Sequence, residues 1–177
     1  MKNQLREKAK IIRKNLNCEI CSKKILQIIQ QWNVFKTAES VMIYHPINNE
    51  INLLGLCPTP KKTFYLPKLV ENSIFPAKFT DDCELTCGKY KIKEPAQNST
   101  QNDKSPDLIF VPALCADKNG FRIGYGKGYY DRFLKNMPDS TKIAAVVYEE
   151  LLFEKIPADN FDKKCDFVIT QSGIISC

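Results

Sequence analysis

Between Lys2 and Leu16 the apolar residues Leu5, Ala9, Ile12 and Leu16 recur at three- and four-residue spacing. That spacing puts them on one face of a helix. Lys2, Arg6 and Arg13 fall on an adjacent stripe, because positions four and seven apart nearly superpose. Such a stripe is either a solvated face or three cations aimed at one anion. A second helix is predicted over about Glu19–Trp32. Five short apolar runs follow: "SVMIYH", "TFYLP", "DLIFVP", "KIAAVVY" and "DFVIT". They lack strict alternation and are separated by helical or loop stretches, the pattern of strands covered on both faces. The prediction is an α/β layered fold with a mostly parallel sheet. Tyr129, Tyr130, Phe133, Leu134 and Met137 mark a further helix that Pro138 stops. The polar, proline-bounded segment Glu94–Pro106 reads as a surface loop. There is no internal repeat, and 177 residues suit one domain over 1–177.

Composition narrows this picture only a little. The chain is 44% hydrophobic and 26% charged, as ordinary globular proteins are. No apolar run approaches the roughly 20 residues of a membrane span, and "MKNQLREKAK" lacks the apolar core of a signal peptide. A cytoplasmic protein with no membrane partner is expected. The net charge of +6 is spread without a block or continuous stripe, which favours a lysine-rich surface or an anionic small ligand. Cys18/Cys21 and Cys83/Cys87 have the short spacing of zinc ligands. The first pair sits inside a helical pattern, the second lacks CxxC framing, and His45 is the only histidine. Reduced thiols serving as small apolar residues are therefore expected, without zinc.

The stretch "RIGYGKGYYDRFL" places three of the seven glycines within five residues. A glycine-rich turn opening a helix leaves backbone N–H groups bare, and an anion fits there. It is not a Walker A loop, since no Ser or Thr follows Gly126-Lys127. It is not a dinucleotide fingerprint either, since Tyr129 stands where the third glycine belongs. Two readings remain open: a tight turn whose glycines permit positive φ and close packing, or an anion cradle with Arg122 and Lys127 as cations. Under the second, Asp131 would repel bound polyphosphate unless a divalent cation lay between them. Tyr125, Tyr129 and Tyr130 could stack on a flat heterocycle or fill a core.

"FVPALCADKNGFRIGYGKGYYDRFL" resembles the signature of the 5-formyltetrahydrofolate cyclo-ligase family, also called 5,10-methenyltetrahydrofolate synthetases, and "KNQLR", "INNEINL" and "KIKEP" fall in the family's order. The resemblance implies a single three-layer α/β/α domain of the NagB/RpiA/CoA transferase-like kind. It implies an ATP- and Mg²⁺-dependent closure of 5-formyltetrahydrofolate to the 5,10-methenyl form, through a phosphorylated formyl group. ATP would be held by Lys2, Arg6, Arg122, Gly124, Tyr125, Gly126, Lys127, Gly128, Tyr129 and Tyr130. The folate would meet His45, Glu50, Tyr125, Gly126, Lys127, Gly128 and Tyr129, and Mg²⁺ would lie on Asp131 and Asp166. Lys127, Arg122 and Tyr129 are the expected catalytic residues. The chain departs from the family pattern at Pro112-Ala113, where Pro-Gly is usual, and at Cys115-Ala116-Asp117, which lacks the usual aromatic; both bear on pocket shape. A nucleic-acid module would need an RRM, KH or helix-turn-helix signature, and none is found. A regulator that had lost catalysis would lack Glu50 or the aspartates, which this chain retains. A monomer with small-molecule partners is expected.

Overall fold

The computed structural model describes residues 1–80, 82–96 and 105–177. Helices α1 (Lys2–Lys14), α2 (Cys18–Gln31) and α3 (Asn33–Thr37) lead into strands β1 (Ser40–Met42), β2 (Thr63–Val70), β3 (Ser73–Phe79), β4 (Leu85–Cys87), β5 (Lys93–Pro95), β6 (Leu108–Pro112), β7 (Cys115–Asp117) and β8 (Arg122–Ile123). Helix α4 (Tyr129–Lys135) precedes β9 (Lys142–Val146), β10 (Leu152–Phe153), β11 (Phe167–Thr170) and β12 (Gly173–Ser176). Both N-terminal helices lie close to their expected ranges. Asn17 caps α2 by accepting the Ile20 N–H at 3.0 Å, as Asn does at an exposed helix start.

Seven strands form the main sheet in the order β12-β11-β9-β6-β1-β2-β3. The five strands expected from sequence are its parallel centre. Successive residues of each strand point into different cores. Val41, Phe110, Val146 and Ile169 pack with Ala9, Ile25, Ile29 and Phe35, while Met42, Ile109, Val111, Ala145 and Val168 pack with Phe133 and Leu134. Coverage on both faces is why these runs are apolar without alternation, and it makes the molecule a three-layer α/β/α structure.

The two edges were not expected. β3 pairs antiparallel with β2, and β12 with β11. The β2–β3 hairpin turns at Glu71 with φ 54° and contains no glycine there, so nothing local marks it. Of the expected loop Glu94–Pro106, β5 takes the first two residues, and residues 97–104 lie outside those described.

Strand β1 lies between β2 and β6, so the chain leaves it in opposite directions along the sheet. Such a reversal opens a crevice at the carboxyl ends of the strands, where ligands of open α/β sheets bind. A second sheet, β10-β7-β8, steers the chain from that crevice into the glycine run. The fully buried Asp117 anchors it, accepting the Asn119, Phe121 and Ile156 N–H groups at 3.0 Å each. The departure from the family pattern at 115–117 is thus packed inside β7, where Cys115, Ala116 and Asp117 are all buried.

Candidate active site

A cavity of about 330 Å³ occupies this crevice, within the usual range for small-ligand sites. Its walls come from the start of α1, the loop after β1, the glycine run and the β4–β5 arm.

Glu50 forms one end. It is 4% exposed, on a turn in which Asn48 and Asn49 take φ of 48° and 59°. The Ile47 N–H donates to Glu50 Oε2 at 3.0 Å. Oε1 has no hydrogen bond, and its nearest cation is Arg13 Nη1 at 3.7 Å. Arg13 is itself buried; it donates to the Ala113 carbonyl and, at 3.3 Å, to the Tyr125 hydroxyl. Burial outweighs the Ile47 N–H, the Arg13 charge and the Tyr125 hydroxyl, and pushes the Glu50 carboxyl up to about 7. His45 Nδ1 is also enclosed without a partner, and burial lowers this imidazole's pKa, so its neutral form prevails. The loop carrying both is held firmly. Cys18 Sγ donates to the Glu50 carbonyl at 2.9 Å, the Tyr148 hydroxyl to the Asn49 carbonyl at 2.8 Å, and Asn49 Nδ2 to the Arg13 carbonyl at 2.6 Å.

At the other end stand cations and glycines. The stripe along α1 divides: Lys2 and Arg6 line the cavity while Arg13 lies in the interior beside Glu50. Lys2 Nζ sits 2.6 Å from both Asp159 and Asp162, and Arg6 Nε donates to the Gly124 carbonyl at 2.9 Å. Lys127 forms no salt bridge among the described residues and lies 5.9 Å from the Tyr90 ring centre. The three glycines have different causes. Gly126 (φ 93°) and Gly128 (φ 67°) occupy the left-handed region, and a Cβ on Gly126 would also crowd the Arg6 guanidinium at 3.2 Å. Gly124 has no positive φ, and nothing lies within 4 Å of where its Cβ would be. Its missing side chain leaves room beside the cavity. Helix α4 begins at this turn but is only seven residues long, so the cations and bare N–H groups carry more of any anion site than a helix dipole does.

Most expected residues converge here, but not all in the expected roles. Arg122 reaches the cavity wall with both Nη atoms engaged, Nη2 by Asp131 Oδ1 and Nη1 by the Lys163 carbonyl, both at 2.8 Å. It therefore positions Asp131. Asp166 is not brought to the cavity. Its carboxylate accepts the Ile143 N–H at 2.8 Å at the amino ends of β9 and β11, opposite the crevice. Asp162, not singled out in the sequence, lines the cavity instead. Tyr90 was missed as well. It bonds to the Tyr129 hydroxyl at 3.1 Å across the cavity mouth, and this bond, with Lys89 and Lys127, holds the Tyr129 phenol below its ordinary value. Tyr130, in the first turn of α4, is half-buried, and desolvation drives its phenol well up. Burial and the Glu50 charge push Tyr125 up to about 12. Among the described residues no three His, Cys, Asp or Glu cluster as metal ligands, all eight cysteines are free, and no helix is long and apolar enough to cross a membrane.

Sheet and cavity define an α/β protein whose ligand site joins a buried, half-satisfied carboxylate to a cationic glycine run. Residues 1–171 match the 5-formyltetrahydrofolate cyclo-ligase family model, and the chain belongs to that family. The 5-formyltetrahydrofolate cyclo-ligase of Haemophilus influenzae is 26% identical over 178 residues, covering 91% of this chain and 92% of that one. The Mycolicibacterium smegmatis enzyme of the same name is 39% identical over 95 residues, 52% of this chain; that match spans about half of the relative's length, 49%. The solution structure of Aquifex aeolicus 5,10-methenyltetrahydrofolate synthetase superposes with a TM-score of 0.87 at 32% identity, over 99% of this chain and 92% of that one.

The Glu50 environment sets a pH dependence. Its folded pKa of about 7 lies above the ordinary 4.5. Between those values the folded chain keeps a proton that the unfolded chain has released, so this group's contribution to stability is full below the window and falls as pH rises through it. The loss by neutral pH is on the order of 3 kcal/mol. Urea unfolding of wild type and Glu50→Gln from about pH 4 to about pH 8 should show the variant gaining on wild type by that amount; parallel curves would contradict the assignment.

Proposed function

We propose that the protein catalyses the ATP-dependent cyclisation of 5-formyltetrahydrofolate to 5,10-methenyltetrahydrofolate, releasing ADP and phosphate. The observation that carries this reading is the pair of unmet needs at the two ends of one cavity. Glu50 Oε1 and His45 Nδ1 lie enclosed without a hydrogen bond, and a pterin presents adjacent N–H donors that a carboxylate accepts well. Lys2, Arg6 and Lys127 surround the glycine run, where phosphate groups would meet cations and bare backbone donors.

A formamide oxygen is a poor leaving group, so ring closure requires its activation. The N5-formyl oxygen attacks the γ-phosphorus of ATP and ADP leaves; N10 then attacks the formyl carbon, and the oxygen departs as phosphate. No side chain becomes covalent. Catalysis is positioning and charge neutralisation, as in other phosphoryl transfers. Lys127 would neutralise the transferring group, Arg6 would hold the Gly124 carbonyl clear of it, and Arg122 would aim Asp131. Tyr129 and Tyr125 would flank the folate. Asp131 and Asp162 both line the cavity with the glycine run, which fits a Mg²⁺ held by one or two carboxylates together with phosphate. Bound there, the ion would offset phosphate charge beside those carboxylates.

Purified protein given 5-formyltetrahydrofolate, ATP and Mg²⁺ should produce the methenyl absorbance with one ADP per product. Absence of product, or product formed without ATP, would overturn the reading. Lys127→Ala should lower kcat/KM by roughly 10²- to 10³-fold with the fold intact; near-wild-type turnover would remove Lys127 from the phosphate clamp. Gly124→Ala should leave the melting temperature unchanged, because its methyl meets no protein atom. The same methyl should raise the KM for ATP by about tenfold or more; an unaltered KM would show that this space is not ligand space.

A further inference from the structure

Ring closure, on the reaction proposed above, leaves one proton to be placed. N10 enters as a secondary amine and ends in a cationic amidine, so its N–H bond must break. The carboxylates assigned so far have other tasks: Glu50 is given to the pterin donors, Asp131 is held by Arg122 and the Lys163 N–H at the phosphate end, and Asp162 by Lys2. One further carboxylate lines the same cavity, and it belongs to Glu94 of the β4–β5 arm.

Glu94 is 7% exposed, and no salt bridge reaches it among the described residues. Its position is built into the arm. The β4–β5 ladder pairs it with Thr86, and its carboxyl group fills the space where a side chain on Gly88 would lie. Gly88 has φ −82° and ψ −166°, extended backbone that any residue adopts. The glycine therefore serves to admit the carboxylate rather than to make a turn. Burial keeps this carboxyl above its ordinary value against the pull of the Leu69 N–H and Lys68, which makes it a stronger base than a surface carboxylate.

We propose that Glu94 is the general base of ring closure, accepting the N10 proton. As N10 bonds to the formyl carbon, its N–H bond breaks and the proton passes to the Glu94 carboxylate. The bond from that carbon to the phosphate oxygen then breaks, the electron pair leaving with phosphate, while a nitrogen lone pair forms the C=N bond of the product. The departing phosphate takes the proton from Glu94 and restores the carboxylate, so no other reactant is required.

Single turnovers with enzyme in excess over 5-formyltetrahydrofolate, quenched and assayed separately for ADP and for the methenyl product, test the assignment. Glu94→Gln should form ADP at the wild-type rate and the methenyl product about 100-fold more slowly. Gly88→Ala, which displaces the carboxylate without neutralising it, should show the same split to a smaller extent and covers the case in which Glu94→Gln fails to fold. Both products at wild-type rates would mean that the proton goes directly to the leaving phosphate. Both slowed equally would place Glu94 in binding or phosphoryl transfer. Either result overturns the proposal, whereas a wild-type chain that makes neither product overturns the reaction itself.

Discussion

The enclosed carboxylate of Glu50, facing Arg13 at 3.7 Å, is the constraint on which the site depends. A charge taken out of water and only partly compensated costs several kcal/mol, and neither the Ile47 N–H nor the distant guanidinium satisfies Oε1. The surroundings keep it there regardless. Arg13 is held by the Ala113 carbonyl, and Asn49 ties the Glu50 turn to the end of α1 through the Arg13 and Leu16 carbonyls. Tyr148 and Cys18 fix the same turn from the loop after β9 and from α2. Two apolar cores, one on each face of the sheet, supply the stability against which such a group can be kept poised. A ligand that brings N–H donors completes what the protein leaves open.

On the proposed function, the glycine run answers a different requirement, the close approach of a backbone to charged ligands. Gly126 and Gly128 are demanded by their φ values and, at 126, by the Arg6 guanidinium, whereas Gly124 is demanded by neither. The turn reading therefore holds at Gly126 and Gly128, while Gly124, which it does not require, leaves the open space that the cradle reading calls for. Two glycines shape the loop, and the third keeps it clear. Gly88 repeats the second logic on the opposite wall, where the room it leaves is taken by Glu94.

Much of this was legible in the chain because burial on both faces imprints itself on sequence. The runs at β1, β2, β6, β9 and β11 are apolar because both cores need them. Edge strands carry no such imprint: β3 includes Pro76 and Lys78 and buries only Ile74 and Ala77. At the site, sequence-local residues were readable, since Lys2, Arg6 and Gly124 to Asp131 reach the cavity from two short segments. Residues whose roles depend on distant partners were not. Arg122 could not be known to turn inward to Asp131 and the Lys163 carbonyl, nor Arg13 to leave the stripe of Lys2 and Arg6. Asp162 and Asp166 sit four residues apart, and only the end of the sheet each one faces separates them. Tyr90 is at the cavity mouth because a hairpin arm outside the main sheet carries it there.

The proposed function requires that folate binding complete the Glu50 carboxylate. Calorimetric titration with 5-formyltetrahydrofolate at pH 7, in two buffers of different ionisation enthalpy, measures the protons exchanged. With a free-protein value of about 7, pairing the carboxylate with pterin donors should release roughly half a proton in wild type and none in Glu50→Gln. A heat of binding independent of buffer in wild type, or the same release from both proteins, would contradict it.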